Sequence, residues 1–251
     1  MIRRWFRNTL QERLVRRERG PMVRLVLDLV RQWMAGQDPA EKLRLLFELD
    51  AELYRLQGRI SREYEGGPHA KHRIIGYHEF FATRLKAGWR VLDVGCANGA
   101  LSRAMAENAG VSVLGVELAP DKVAAAQRDN AHPQVEYLIG DVLLDLPERP
   151  FDAVVLSNVL EHLAGRVEFL TRLRERTGAG VFLIRVPQYD REWRVPLKRE
   201  LGVDWRLDKT HELEYTEAQL RQEVAEAGLE IVEIAFRWGE IYVAAQPARG
   251  G

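Results

Sequence analysis

The chain has 251 residues, 46% of them hydrophobic, enough for one large α/β domain or a medium domain with an attachment. Its 37 lysines and arginines balance 37 aspartates and glutamates, so the protein as a whole exerts no long-range pull on polyanions and carries no strong nucleic-acid signal. A single cysteine, Cys96, excludes an internal disulfide and a four-cysteine zinc site, and no segment reaches the ~20 apolar residues of a membrane span, so a soluble cytoplasmic protein is expected.

Residues 1–20 hold Arg3, Arg4, Arg7, Arg13, Arg16, Arg17 and Arg19 against Glu12 and Glu18, with Ile2, Trp5, Phe6, Leu10 and Leu14 at helical spacing. This reads as a basic amphipathic helix, either a solvated arm or a peripheral contact with an anionic membrane or an acidic partner. Gly20 and Pro21 are expected to break it. Met22, Val23, Leu25, Val26, Leu29, Val30 and Trp33 predict a buried helix, and Asp38-Pro39 caps a long third one whose apolar stripe runs from Leu43 to Ile60. Residues 1–66 are thus a helical extension, expected to cover one end of the core.

Gly66-Gly67-Pro68 reads as a linker into a second domain, residues 67–251. A helix is expected over His69 to Phe81, from which Lys71, Arg73, Tyr77 or His78 would reach over a cofactor mouth. His69 and His72 could share a face, yet no matching carboxylate pair or cysteine lies near them, which argues against a metal. From residue 89 strands and helices alternate with short joints, the pattern of a doubly wound parallel sheet. Strands are expected over 91–94, 113–117, 135–139, 151–156 and 180–186. A helix over 216–226 then leads to an antiparallel hairpin of 229–236 and 240–245 that closes one sheet edge.

The first of these units is the most informative. A buried strand ends in Asp93, a turn Asp93-x-Gly95-x-x-x-Gly99 opens a helix, and the next strand ends in Glu117, where a βαβ unit needs an acid for the two hydroxyls of a ribose. The dinucleotide fingerprint would place a glycine at position 97, where Ala97 stands, and Asp93 would repel a pyrophosphate but hold a cationic ligand. No phosphate-loop Gly-Lys-Ser/Thr is present. Cys96 sits in the turn, where a small side chain suits tight packing.

Val91-Leu-Asp93-Val-Gly95-Cys96-Ala97-Asn98-Gly99, Glu117, Gly140-Asp141-Val142 and Phe151-Asp-Ala-Val-Val-Leu-Ser157-Asn158-Val-Leu-Glu161-His162 together resemble the class I S-adenosylmethionine-dependent methyltransferases, over roughly residues 70–247. The resemblance implies a Rossmann-like seven-stranded sheet with its last strand antiparallel, and S-adenosylmethionine as cofactor. By matched position it places Gly95 to Gly99 by the methionine part, Glu117 and its neighbour Leu118 by the ribose, and Asp141 and Val142 by the adenine. Ser157, Asn158 and His162 would line the cofactor at the end of the fourth strand, with Tyr77 above it. Ala97 in place of the family's second glycine is a mild departure.

Transfer to a hydroxyl needs a base at the carboxyl ends of the strands. His162 is one candidate, in a Glu161-His162 pair resembling that of the ubiquinone-pathway O-methyltransferases; those carry an acid where Asn158 stands, so no metal is expected. His211 is the other, in the long loop 187–215, whose tryptophans and basic residues would form a lid and acceptor pocket. The place of the Asn/Asp-Pro-Pro-aromatic motif of amine methylation holds Ser157-Asn158-Val159-Leu160 instead. The favoured acceptor is a hydroxyl of a small molecule or glycan. The alternative is a protein or nucleic-acid methyltransferase docking through the basic arm.

Overall fold

The structure, a computed structural model, describes residues 19–67, 69–145 and 149–249. It divides into two compact units, one ending at Gln57 and one beginning at Gly58. The basic helix expected over residues 1–20 lies outside the described residues except for Arg19 and Gly20.

Helix α1 (Arg19–Met34) takes Gly20 and Pro21 into its first turn, and the break expected there falls at the edge of the described residues. Proline costs little in a first turn, where its missing N–H has no partner to lose. The expectation that this helix is buried is corrected: only Leu25 is, while Val26 and Trp33 are each about half exposed. A 3.6-residue period shows which side of a helix can be covered, and does not supply a covering surface. Helix α2 (Pro39–Glu65) starts as expected, with Asp38 Oδ1 accepting the N–H groups of Ala40 (2.8 Å) and Glu41 (3.2 Å).

Beyond α2, the single helix expected over 69–81 is two, α3 (Ala70–Ile75) and α4 (Tyr77–Ala82), separated by Gly76 in the left-handed conformation at φ 59°. His69 Nδ1 is committed to capping α3, accepting the Lys71 N–H at 3.0 Å. The sheet follows, with strands β1 (Arg90–Val94), β2 (Ser112–Glu117), β3 (Val135–Ile139), β4 (Ala153–Ser157), β5 (Val181–Pro187), β6 (Leu229–Arg237) and β7 (Glu240–Pro247). Their order is β3-β2-β1-β4-β5-β7-β6, with β7 antiparallel to both neighbours and β1 to β5 parallel, the expected doubly wound architecture.

Period-two alternation sends side chains to two apolar layers. Leu92, Leu156 and Ile184 pack on one face with Leu170 and Leu220, from α7 (Arg166–Thr177) and α9 (Glu217–Glu226). Val91, Val155 and Leu183 pack on the other with Phe80, Phe81 and Met105, from α4 and α5 (Ala100–Ala109). Thr216 and Gln219 form a capping box on α9. Trp238 (φ 56°) and Gly239 (φ 77°) make the two-residue turn between β6 and β7. Because β1 has β2 on one side and β4 on the other, a crevice opens at their carboxyl ends, where open α/β sheets bind ligands. No helix among the described residues is long and apolar enough to cross a membrane.

Candidate active site

The turn after β1 folds back so that the Gly95 N–H donates to Val116 O at 2.8 Å, which sets the end of β1 beside the end of β2. Gly95, Ala97 and Gly99 are all left-handed, at φ 66°, 48° and 78°. A Cβ on Gly99 would fall 2.3 Å from the Tyr137 hydroxyl, and one on Gly95 3.0 Å from Val159. For Ala97 that conformation costs about 1–2 kcal/mol, offset in part by its N–H, which donates to Glu117 Oε2 at 3.1 Å.

Glu117 is buried, and its Oε1 accepts the Ala119 N–H at 3.1 Å. Each carboxylate oxygen thus spends one lone pair on the backbone and keeps one, the valence that two ribose hydroxyls require. Lys122 stands 3.8 Å from it on α6 (Pro120–Asp129). Leu118 and Ile139, at the tips of β2 and β3, are 70% and 51% exposed, an open apolar ledge for a planar base. Asp141 Oδ1 accepts the Leu143 N–H at 2.8 Å, and Asp145 Oδ2 accepts the Asp141 N–H at 2.7 Å. A Cβ on Gly140 would meet Asp145 at 2.6 Å, so Gly140 of the motif and Asp145, unnoticed in the sequence, set this turn together. Val142 and Cys96 have buried side chains, the latter packed on Gly115; toward a ligand both have only their backbone to offer. Burial also pushes the Cys96 thiol far above its usual range, so it stays protonated. Asn98 Oδ1 faces the Ala100 N–H, and its carbonyl accepts from Asn130 at 2.8 Å.

Asp93 lies beneath the turn, 1% exposed, accepting the Ser102 hydroxyl at 2.5 Å. Burial pushes its carboxyl up to about 7, against the Ser102 hydrogen bond and with the help of nearby Glu117. A cationic group placed above it would restore the charge. Tyr77 comes down on the far side of the crevice, its ring 4.0 Å under the Arg185 guanidinium and its hydroxyl 3.2 Å from His72 Nδ1. Arg73 turns away to Glu65 at 2.6 Å.

The two histidine candidates meet. His162 ends a short 3-10 turn (Leu160–His162) after β4, and its ring packs edge-on against His211, with centroids 4.8 Å apart. Thr210 Oγ1 sits 3.0 Å from His162 Nδ1, and Nε2 of this exposed residue has no hydrogen-bond partner among the described residues. Burial and the neighbouring His211 hold His162 below its usual value, so it is neutral at pH 7. His211 Nδ1 lies 3.2 Å from Glu214 Oε1, a contact in which Nδ1–H donates to the carboxylate and Nε2 keeps its lone pair. Glu214, overlooked in the sequence, is 3% exposed and also receives Arg191 and the Leu207 N–H. Although burial pushes its carboxyl up, these three donors together hold it below the usual carboxylate range.

Glu161 completes the group. It is fully buried, both its oxygens lack a hydrogen-bond partner among the described residues, and burial pushes it up to about 7. Glu161, His162 and His211 each offer a ligand-type atom within 4.8 Å of the others, so His211 is the third group here and Asn158 is not. Asn158, left-handed at φ 58°, instead accepts from Arg185 Nε at 3.1 Å. The loop over these residues is not structureless. It carries α8 (Arg194–Glu200), and Tyr189, Arg199, Trp205 and Glu214 line a cavity of about 430 Å³ within it.

A glycine turn, a buried acid at the next strand tip and an apolar ledge beyond it define a nucleoside-binding α/β protein of the Rossmann-like kind. The sequence profile of the methyltransferase domain matches residues 68–234, and the chain belongs to that family, the class I S-adenosylmethionine-dependent methyltransferases. The ubiquinone biosynthesis O-methyltransferase of Azorhizobium caulinodans is 33% identical over 168 residues, 63% of this chain and 65% of that one. Its namesake in Xanthomonas euvesicatoria pv. vesicatoria is 42% identical over 90 residues, 34% and 37% of the two chains. The chain therefore spans just under two thirds of the first relative's length and little more than a third of the second's. Among solved structures, an S-adenosylmethionine-dependent methyltransferase from Aquifex aeolicus superposes with a TM-score of 0.58 at 17% identity, over 72% of this chain and 94% of that one. Magnesium protoporphyrin IX methyltransferase from Synechocystis, with S-adenosylhomocysteine bound, gives 0.56 at 16%, over 78% and 87%. At such identities the likeness is one of fold.

Proposed function

We propose that this chain methylates a hydroxyl of a small molecule or glycan, with S-adenosylmethionine as donor and His211 as base. The observation that carries the reading is the buried Glu214–His211 contact, which engages Nδ1 and leaves Nε2 as the basic nitrogen of a residue clustered with Glu161 and His162. Glu117 would hold the ribose, the turn from Gly95 to Gly99 the methionine part, and Leu118, Asp141 and the Val142 backbone the adenine. The acceptor O–H would give its proton to His211 Nε2 while the oxygen lone pair attacks the methyl carbon. The carbon–sulfur bond breaks with its electrons on sulfur, turning the sulfonium into the thioether of S-adenosylhomocysteine. His162, more exposed and neutral, would take the proton from an acceptor seated on its open side. The name O-methyltransferase carried by the two bacterial relatives supports a hydroxyl over an amine. A single buried cysteine suits a reducing cytoplasm as the place of reaction.

Calorimetry with S-adenosylmethionine and S-adenosylhomocysteine tests the donor, and a labelled-methyl screen of cell extracts identifies the acceptor. His211→Gln should then lower kcat about 100-fold or more with cofactor affinity kept; unchanged turnover would remove His211 from the mechanism. Dialysis against a chelator distinguishes base chemistry from a divalent ion on Glu161, His162 and His211, since only the latter loses activity that added metal restores. The second reading, a protein or nucleic-acid methyltransferase, has the arginines of residues 3–19 in its favour; salt-sensitive RNA or acidic-protein binding lost on deleting them would support it.

A further inference from the structure

Arg185 is out of place by sequence pattern: it interrupts the apolar strand β5, whose other six residues are Val, Phe, Leu, Ile, Val and Pro. A charge in a strand covered on both faces is retained only where something engages it. Only 9% of Arg185 is exposed; its Nε lies 3.1 Å from Asn158 Oδ1 and 3.2 Å from Glu240 Oε2, and the Tyr77 hydroxyl is also in polar contact with the side chain. Tyr77 lies flat under the guanidinium at 4.0 Å and fixes its plane, and the Tyr242 hydroxyl holds Glu240 in turn at 3.0 Å. Apart from that Tyr77 contact, neither Nη group has a hydrogen-bond partner among the described residues. An arginine clamped at Nε and against an aromatic face presents its outer Nη edge as a rigid fork, the shape that matches a planar carboxylate.

The position on the sheet says which carboxylate. Arg185 pairs with Ser157 at the carboxyl edge, two residues nearer that edge than Leu183, which sits in line with Val155 and Asp93. With strands about 4.8 Å apart, β5 stands about 10 Å from β1, past the strand over which a methionine chain anchored at the glycine turn would extend. Burial, then neighbouring charges, keep His72 down at about 4, and burial and Arg185 keep His78 low, so both are neutral and Arg185 is the buried cation of this cluster.

We propose that Arg185 anchors the methyl acceptor by a carboxylate, which narrows the acceptor class to hydroxylated organic acids. This rests on the methyltransferase reading, so the test carries separate arms for the two. Protein loaded with S-adenosylhomocysteine is titrated with benzoate and with its neutral counterpart benzamide, following the arginine Nε–H signals by nitrogen NMR, with Arg185→Lys to assign the Arg185 signal. Benzoate should bind about tenfold tighter than benzamide and shift that signal. In Arg185→Met/Glu240→Gln, which removes both members of that ion pair together, the preference should vanish while S-adenosylhomocysteine affinity holds within about twofold. Equal binding of the two probes to the unaltered protein, or a preference that survives the double substitution, overturns the proposal. So does a variant that loses affinity for S-adenosylhomocysteine but not for 5′-methylthioadenosine, because the fork would then hold the cofactor's own carboxylate. Failure of S-adenosylhomocysteine to bind the unaltered protein refutes the underlying reading instead.

Discussion

Replacing Glu117 by Gln puts the cofactor end of the site to a quantitative test. In the structure each Glu117 oxygen accepts one backbone N–H at 3.1 Å, from Ala97 and from Ala119. Glutamine is the same size but keeps only one oxygen; its amide nitrogen has no lone pair for a ribose hydroxyl and faces a backbone N–H as donor against donor. One charge-assisted hydrogen bond, worth about 1.5–3 kcal/mol, is lost, and the second falls to neutral strength, about 0.5–1.5 kcal/mol. The second bond thus loses about 1–1.5 kcal/mol, and the sum, about 2.5–4.5 kcal/mol, corresponds to a Kd for S-adenosylhomocysteine raised about 70- to 2,000-fold. Calorimetry on the two proteins measures it, with circular dichroism confirming that the variant is folded. Adenosine and its 2′,3′-dideoxy analogue close the cycle: removing the hydroxyls should cost affinity only where Glu117 is present. A folded Glu117→Gln protein that binds S-adenosylhomocysteine within about threefold of the original would refute the assignment of Glu117 to the ribose.

Gly99→Ala should lower Tm by about 2–8 °C, because a Cβ there meets the Tyr137 ring and adopts a left-handed conformation costing about 1–2 kcal/mol; thermal melts of the free protein check it. Asp93 and Glu161 are both raised to about 7 by burial, so the fold holds protons there that the unfolded chain has released. Their contribution to stability is complete below pH ~4 and is lost as pH rises through about 7, at up to about 1.4 kcal/mol per pH unit for each group. Melts of the free protein should show this decline, and Asp93→Asn should flatten part of it; a flat profile in the unaltered protein would count against both shifts. If an ammonium group on the cofactor sits over Asp93, S-adenosylmethionine binding below pH 7 should release up to one proton, read by calorimetry in buffers of different ionisation enthalpy. Glu214→Gln should lower kcat on the identified acceptor by less than His211→Gln does, since it loosens the base without removing it.

What could be read from the chain alone was whatever depends on near neighbours. The alternation of strands and helices, the glycine turn at Gly95 and Gly99, the acid at Glu117 and the hairpin at Trp238-Gly239 each encode their geometry within a few residues. Tertiary structure alone brought His211 to His162 across 49 positions of sequence and set Glu214 behind it. It also split the helix at Gly76 and left Val26 and Trp33 of α1 exposed. Those outcomes turn on which surfaces meet, and the loop of residues 187–215 has no short period to announce its partners. Hence the methyl donor is legible from a contiguous stretch, while the groups that choose and activate an acceptor come together only in the folded chain.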